Sequence, residues 1–280
     1  MEIFRTVAEL RAWSRRERNG GNTIGLVPTM GALHAGHVSL IHASRASCGF
    51  TALSLFVNPT QFGPKEDFAR YPRAFEADCG LAQAEGVHAL FAPGVEEMYP
   101  AGAATFVEAG DLGNRLDGAS RPGHFRGVAT VVAKLLIAAE PDRAFFGQKD
   151  AAQVAVIRRM ARDLRLGAEI VVCPTMRDAD GLALSSRNAY LSVEERAQAL
   201  VLVRAVRRVE ELAARGERQA IALIAAAREV LAAEPAVRVE YATVVDWATL
   251  APVETATPGT LFAVAAWVGG TRLIDNAVLE

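Results

Sequence analysis

The sequence predicts an α/β chain: a parallel sheet with helices on both faces, followed by a smaller C-terminal α+β domain. Three observations predict it. Short apolar runs rich in β-branched and aromatic residues alternate with amphipathic helical stretches through residues 23–173, the pattern of a parallel sheet with helical crossovers. Each apolar run stops at Pro, Gly, Asn or a polar turn. After about Asn188 the order changes to two successive helices and then successive strands, an α+β arrangement.

The elements follow in order. Residues 1–20 set apolar side chains at helical spacing among charges, which reads as neither a signal peptide nor a membrane anchor. Strands are predicted at 23–29, 51–57, 89–92, 144–147 and 169–173. The helices between them are predicted at 37–47, 72–85, 128–138 and 151–164. Further on, helices are predicted at 193–215 and 218–233; the alanine-rich run 213–233 is a good helix former. Strands at 241–245 and 261–268 follow, and Gly269-Gly270 turns the chain into a last strand at 272–274. The boundary falls near 174–188, giving domains 1–175 and 176–280.

Composition narrows the function. The 280 residues are 51% hydrophobic and 22% charged, with a net charge of -2. That charge gives no field for nucleic acid or for an anionic membrane. Cys48, Cys79 and Cys173 lie far apart with no CxxC pair, so neither a zinc site nor a disulfide framework is indicated. A reducing compartment, the cytoplasm, is expected. No apolar run is long enough to span a bilayer.

Three stretches carry chemistry. The first, Pro28-Thr29-Met30-Gly31-Ala32-Leu33-His34-Ala35-Gly36-His37, follows a strand and opens a helix. His34 and His37, three apart, share one side of the helix start, and Gly36 lets a ligand approach the backbone. Backbone N–H groups and the positive dipole end suit phosphate. Two imidazoles there can stabilise charge building on a pyrophosphate leaving group. The second stretch is Phe146-Gly147-Gln148-Lys149-Asp150, where Lys149 can meet a phosphate and Asp150 can cap the next helix. By itself it also reads as a solvated turn. The third is Asp180-Gly181-Leu182-Ala183-Leu184-Ser185-Ser186-Arg187-Asn188. Its paired hydroxyls beside an arginine make an anion clamp, or else a polar linker.

His-x-Gly-His near the N-terminus with a later Ser-Ser-Arg is a nucleotidyl-transfer layout, shared in outline with class I aminoacyl-tRNA synthetases. Longer segments are more specific. PTMGALHAGHVSLI, FVNPTQFGPKEDFARYPR, FAPGVEEMYP, RPGHFRGVATVVAKLL, FFGQKD, DGLALSSRNAYLS and GGTRLIDNAVL together resemble the pantothenate synthetase family. These are ligases that join pantoate to β-alanine with ATP. The resemblance runs from Pro28 to the C-terminus.

It implies a Rossmann-like nucleotide-binding domain, a smaller α+β lid, and a pantoyl-adenylate intermediate with release of pyrophosphate and AMP. It implies an ATP site from Met30 through Gly31, Ala32, Leu33, His34, Ala35 and Gly36 to His37, with His37 as proton donor. Gly147, Gln148, Lys149, Asp150, Met176, Leu184, Ser185, Ser186 and Arg187 complete that site. Catalysis is assigned to His37, His34, Lys149, Ser185, Ser186 and Arg187. Gln61 and Gln153 would hold pantoate, assisted by Asn58; neutral amides suit a ligand with two hydroxyls and a carboxylate. Without the family, both glutamines read as surface amides.

The resemblance also implies Mg²⁺ carried on the phosphates with no protein metal ligands, and a homodimer through the N-terminal domain. The chain departs from the family at Ala35, Lys65, Ala151 and Ala152, which affects packing beside Gln153 and substrate affinity. Arg121, His124 and Arg126 read as a basic mobile loop, with a structural role equally open. The rival readings are an adenylyltransferase acting on a phosphorylated cofactor precursor, a tRNA synthetase without an anticodon-binding domain, and a non-catalytic nucleotide sensor.

Overall fold

A computed structural model of the chain describes residues 1–64 and 66–280, with Asp67 described by its backbone alone. Lys65, one of the family departures, therefore lies outside the described residues. The chain divides into two compact units, residues 1–147 with 156–173 and residues 148–155 with 174–280.

The first unit is built on six parallel strands in the order β1-β4-β3-β2-β5-β6. They are β1 (Glu2–Phe4), β2 (Ile24–Thr29), β3 (Phe50–Leu55), β4 (Ala89–Phe91), β5 (Arg143–Gly147) and β6 (Glu169–Cys173). The central strands are apolar in sequence because helices cover both faces. On one face Val27, Leu53, Leu90, Phe145 and Cys173, from five neighbouring strands, pack with Leu40 and Ile41 of α2 (Ala35–Ser47) and Ala82 of α3 (Phe75–Ala84). The other face carries α1 (Val7–Asn19), begun by a Thr6–Glu9 capping box, and α6 (His124–Ala139). Trp13 of α1 is buried there, its ring 6.2 Å from Phe4 and 6.1 Å from Phe50. Parallel strands with helices on both faces make this unit Rossmann-like.

The chain order reverses between β2 and β5. β3 and β4 extend the sheet to one side of β2, and β5 and β6 to the other. Open α/β sheets bind ligands beyond the carboxyl ends of strands at such a point. Here those ends are Thr29 and Gly147.

The predicted strands and long helices are present, and the differences have local causes. β1, with α4 (Val95–Met98) and α5 (Asp117–Ser120), is too short to show a period in the sequence. α3 starts at Phe75 rather than 72, because the Arg73 guanidinium holds a bend on the carbonyls of Phe68 and Tyr71. α6 starts four residues earlier than predicted, at His124, since Gly123 takes a left-handed φ of 82° and lets the helix begin there. The expected mobile loop of Arg121, His124 and Arg126 is therefore a short turn leading straight into a buried helix.

In the second unit, β7 (Val237–Asp246), β8 (Thr260–Val268) and β9 (Thr271–Val278) form an antiparallel sheet in that order. Helices α8 (Val193–Ala214) and α9 (Ala220–Ala232) pack on it through Val206, Val209, Leu223 and Ala227 against Phe262, Val264 and Ala266. Gly269-Gly270 makes the β8–β9 turn. β9 is longer than predicted because buried Asp275 and Asn276 interrupt its apolar pattern.

Residues 148–155 group with this second unit, although the sequence placed them before the boundary at 175. Asn276 donates its amide to the carbonyls of Gln148 at 3.0 Å and Lys149 at 2.9 Å. The Trp247 indole donates to the carbonyl of Ala151 at 2.9 Å, at the start of α7 (Ala151–Asp163).

One contact of α6 is unusually close. A Cβ on Gly127 would sit 2.3 Å from the Thr60 carbonyl oxygen and 2.7 Å from the Gln61 Cα. Gly127→Ala is expected to push the helix from this turn and destabilise the protein by about 1–3 kcal/mol. Urea unfolding followed by circular dichroism measures it; an unchanged midpoint would show that the approach is not tight.

Candidate active site

The turn from β2 into α2 is held from within. Gly31 and Ala32 both take left-handed backbones, with φ of 86° and 51°. The buried carboxylate of Asp78, on α3, accepts the N–H of Ala32 at 2.9 Å and of Leu33 at 2.8 Å. The Thr29 hydroxyl accepts the N–H of Gly31 at 3.2 Å and donates to the Ser54 carbonyl at 2.7 Å. The two histidines close the turn. His34 Nδ1 accepts the Gly36 N–H at 3.1 Å, and His37 Nδ1 accepts the His34 N–H at 3.3 Å.

Those bonds fix the tautomers. A ring nitrogen that accepts carries no proton, so each neutral imidazole holds its proton on Nε2. The rings lie 4.1 Å apart, tilted by 40°, at the start of a helix with no acid in its first turn. The sequence reading gave phosphate binding to the backbone N–H groups. In the structure those of Gly31, Ala32, Leu33, His34 and Gly36 already bond within the protein. The donor capacity that the motif adds is at Nε2 of the two rings.

Gln61 lies close by in the same unit, at the end of the 3-10 turn Pro59–Gln61. It is 9% exposed and so is not a surface amide. Its Nε2 lies 3.1 Å from the Met30 sulfur, joining this turn to the first motif. Asn58, 1% exposed, caps the turn. Its Nδ2 donates to Gln61 Oε1 and to the Gly127 carbonyl, each at 3.1 Å. Its Oδ1 accepts the Tyr99 hydroxyl at 2.8 Å and the Thr60 hydroxyl at 2.9 Å. Both amide hydrogens of Asn58 are used, so it acts by holding Gln61.

Behind Gln61 stand Arg121 and His124. The His124 ring is 8% exposed, with Nδ1 2.9 Å from the Gln61 carbonyl and Nε2 3.0 Å from an Arg121 guanidinium nitrogen. Arg121 also grips Glu66 with two nitrogens, through Nε at 2.8 Å. Burial alone would raise the Glu66 carboxyl; the hydrogen bond and charge of Arg121 outweigh it and lower it. Burial, then the Arg121 charge, lowers His124 from 6.5 to about 4, while the Gln61 carbonyl, Asp117 and Glu66 act in the opposite direction.

The second unit holds the other predicted residues. Asn276 fixes the backbone of Gln148 and Lys149, and Lys149 Nζ lies 3.1 Å from Asp150 Oδ1. Gln153 is half-buried on the first turn of α7, beside Ala151 and Ala152, which are both buried. Residues 176–188 are not a loose linker. Met176 and Leu184 are joined by a backbone bond of 2.9 Å. Arg177 makes two bonds, of 2.7 and 2.9 Å, to buried Asp275, and Arg196 spans Asp178 and Asp180. Ser185 caps the 3-10 turn Ser186–Tyr190, its hydroxyl accepting the Arg187 N–H at 3.3 Å. The sequence reading missed Asp78, Tyr99, Arg177, Asp275 and Asn276. The last two stood inside the quoted GGTRLIDNAVL segment as polar residues in an apolar strand, which was the available signal.

The family model described as pantoate-β-alanine ligase matches residues 2–278. The chain belongs to the pantoate-β-alanine ligase family. It is 60% identical to the pantothenate synthetase of Acidobacterium capsulatum, covering 100% of this chain and 97% of that relative. It is 54% identical to the pantothenate synthetase of Moorella thermoacetica, covering 100% and 99%. Among solved structures it is similar to the pantothenate synthetase of Thermus thermophilus, with a TM-score of 0.94 and 49% identity over 99% of each chain. It is also similar to the pantoate-β-alanine ligase of Francisella tularensis, a structure described as complexed with β-γ ATP and β-alanine. That match has a TM-score of 0.80 and 31% identity, over 99% of this chain and 97% of the other. Among the described residues no group of three or more His, Cys, Asp or Glu is placed to hold a metal ion. Nor is any helix among them long and apolar enough to cross a membrane.

Two predictions concern the supports of this ligase-family site. Asp78→Ala leaves two turn N–H groups without their acceptor. It is expected to cost about 3 kcal/mol of stability in urea unfolding, with Asp78→Asn losing less because one oxygen remains. An unchanged Asp78→Ala midpoint would mean the turn holds itself. The second prediction is a pH dependence. His124 titrates at about 4 when folded against an ordinary 6.5, so the unfolded chain takes up the proton first as pH falls. Stability from this ring is complete above pH 6.5 and is lost as pH falls through 4. The part lost between pH 7 and pH 5 is about 2 kcal/mol. His124→Asn, which cannot titrate, is expected to show a smaller difference between urea midpoints at the two pH values than the parent.

Proposed function

We propose that this chain is an ATP-dependent ligase that condenses pantoate with β-alanine, through pantoyl adenylate. The observation that carries the reading is the pair of Nε2-protonated imidazoles capping α2, in a chain of the pantoate-β-alanine ligase family. Support for the substrates comes from the Francisella tularensis relative, described as complexed with β-γ ATP and β-alanine.

Mg-ATP is the substrate, with the metal carried on the phosphates. A pantoate carboxylate oxygen attacks the α-phosphorus; the bond from that phosphorus to the bridging oxygen breaks, and pyrophosphate leaves. The neutral amine of β-alanine then attacks the acyl carbon of the mixed anhydride. The acyl carbon–oxygen bond breaks, AMP leaves with that electron pair, and the amine gives up a proton. The Nε2–H groups of His34 and His37 stabilise charge on the leaving pyrophosphate; with Nδ1 of His37 accepting a backbone N–H, this ring serves by donating a hydrogen bond and keeps its proton. Met30 to His37 and Gly147 to Asp150 bind ATP with Met176 and Leu184, while Lys149, Ser185, Ser186 and Arg187 contact its phosphates. Gln61 and Gln153 hold pantoate, and Asn58 assists by fixing Gln61. The enzyme works in the cytoplasm as a homodimer formed through its N-terminal domain.

The test is exchange of labelled pyrophosphate into ATP. Exchange should require pantoate and proceed without β-alanine. His34→Ala and His37→Ala are each expected to lower its rate ~10²–10³-fold, and Gln61→Ala and Gln153→Ala to weaken it at subsaturating pantoate. Exchange without pantoate, or exchange demanding β-alanine, would refute the adenylate route.

A further inference from the structure

The RPGHFRG segment supplies a side chain for which the reaction gives no direct use. His124 is buried on the first turn of α6, within the first unit, and touches the Gln61 peptide rather than its amide. A carbonyl oxygen only accepts, so His124 Nδ1 must donate to it and carry the ring proton. Nε2 is then a lone pair, and the Arg121 guanidinium, 3.0 Å away, donates into it. Arg121 is in turn held by Glu66. Glu66 orients Arg121, Arg121 fixes the His124 tautomer, and His124 N–H holds the Gln61 carbonyl at 2.9 Å, a carbonyl that Arg121 also reaches at the longer distance of 3.4 Å. Asn58 fixes the other end of the same residue through Gln61 Oε1. The approach of Gly127 leaves the turn no room to shift toward α6.

We propose that His124 is a positioning residue for pantoate, its neutral ring locking the Gln61 peptide and so aiming the Gln61 amide at the substrate. This rests on the reading above that Gln61 holds pantoate. Neither His124 nor Arg121 need touch the substrate. Their effect is to restrict the rotations of Gln61 before pantoate arrives, so the ordering is already done when it binds. The expected signature is selective: pantoate affinity changes, while ATP affinity does not.

Two variants separate positioning from bulk structure. In His124→Asn the side-chain NH₂ lies near the place of Nδ1 and still donates to the Gln61 carbonyl. In His124→Gln the amide lies near the place of Nε2, faces Arg121, and leaves that carbonyl only the longer bond of 3.4 Å from Arg121. Pyrophosphate–ATP exchange is measured against pantoate at saturating ATP, and against ATP at saturating pantoate. His124→Gln should raise the KM for pantoate roughly tenfold, with the KM for ATP within about twofold of the parent. His124→Asn should restore pantoate KM to within about threefold of the parent. Equal impairment of both variants, parental pantoate KM in both, or a parallel rise in ATP KM would each overturn the inference. If His124→Gln does not fold, Glu66→Gln takes its place. It frees Arg121 and should raise pantoate KM about threefold; no rise overturns the inference. A parent enzyme without pantoate-dependent exchange refutes the functional reading and this inference with it. A parent that exchanges beside unaffected variants refutes this inference alone.

Discussion

Chain leaving a parallel strand and turning at once into a helix exposes backbone donors faster than the helix can use them. In this protein the problem is sharpest after β2, where Gly31 and Ala32 both take left-handed backbones. That conformation costs an alanine about 1 kcal/mol, and the Asp78 carboxylate offsets it by taking two successive N–H groups. The remaining donors go to Thr29, His34 and His37. The role proposed for His34 and His37 depends on this arrangement. By giving Nδ1 of both rings to the backbone, it fixes the nitrogen of each that bears a proton, and it holds the rings side by side before any ligand binds. Preorganised donors of this kind need no reorientation as charge develops.

The Gln61 turn is built on the same pairing of polar groups in a more deeply buried place. Asn58, Gln61 and His124 meet where water does not compete, with Arg121 and Glu66 half-buried behind them, so an unmade bond in the buried part is costly and a complete set is rigid. Asn58 commits both hydrogens to the turn, His124 one proton to the Gln61 carbonyl, and Arg121 balances its charge on Glu66. The glycine at 127 admits the helix that carries His124. In the second unit a comparable task falls to β9: Asp275 secures Arg177 and Asn276 secures the Gln148–Lys149 backbone. Two neighbouring residues of the last strand thus hold the second motif and Arg177, just before the third.

Much was legible in the sequence. Alternating apolar runs and helical stretches determined the parallel sheet, because a strand buried on both faces reads as a nearly continuous apolar run. His-x-Gly-His after a strand determined a helix start with two imidazoles on one side, since both features depend only on local spacing. The long motifs determined the family. Tertiary structure alone decided which amides are buried, because Gln61 and Asn58 look like any polar turn until α6 closes over them. It decided that RPGHFRG is the start of a buried helix and not a mobile loop, through the left-handed Gly123. It also decided that Asp78, 41 residues beyond His37 in the sequence, holds the turn before that histidine. Local pattern records which face of an element is apolar; it carries no record of which distant polar group will answer an unpaired donor, since that pairing exists only once the elements have packed.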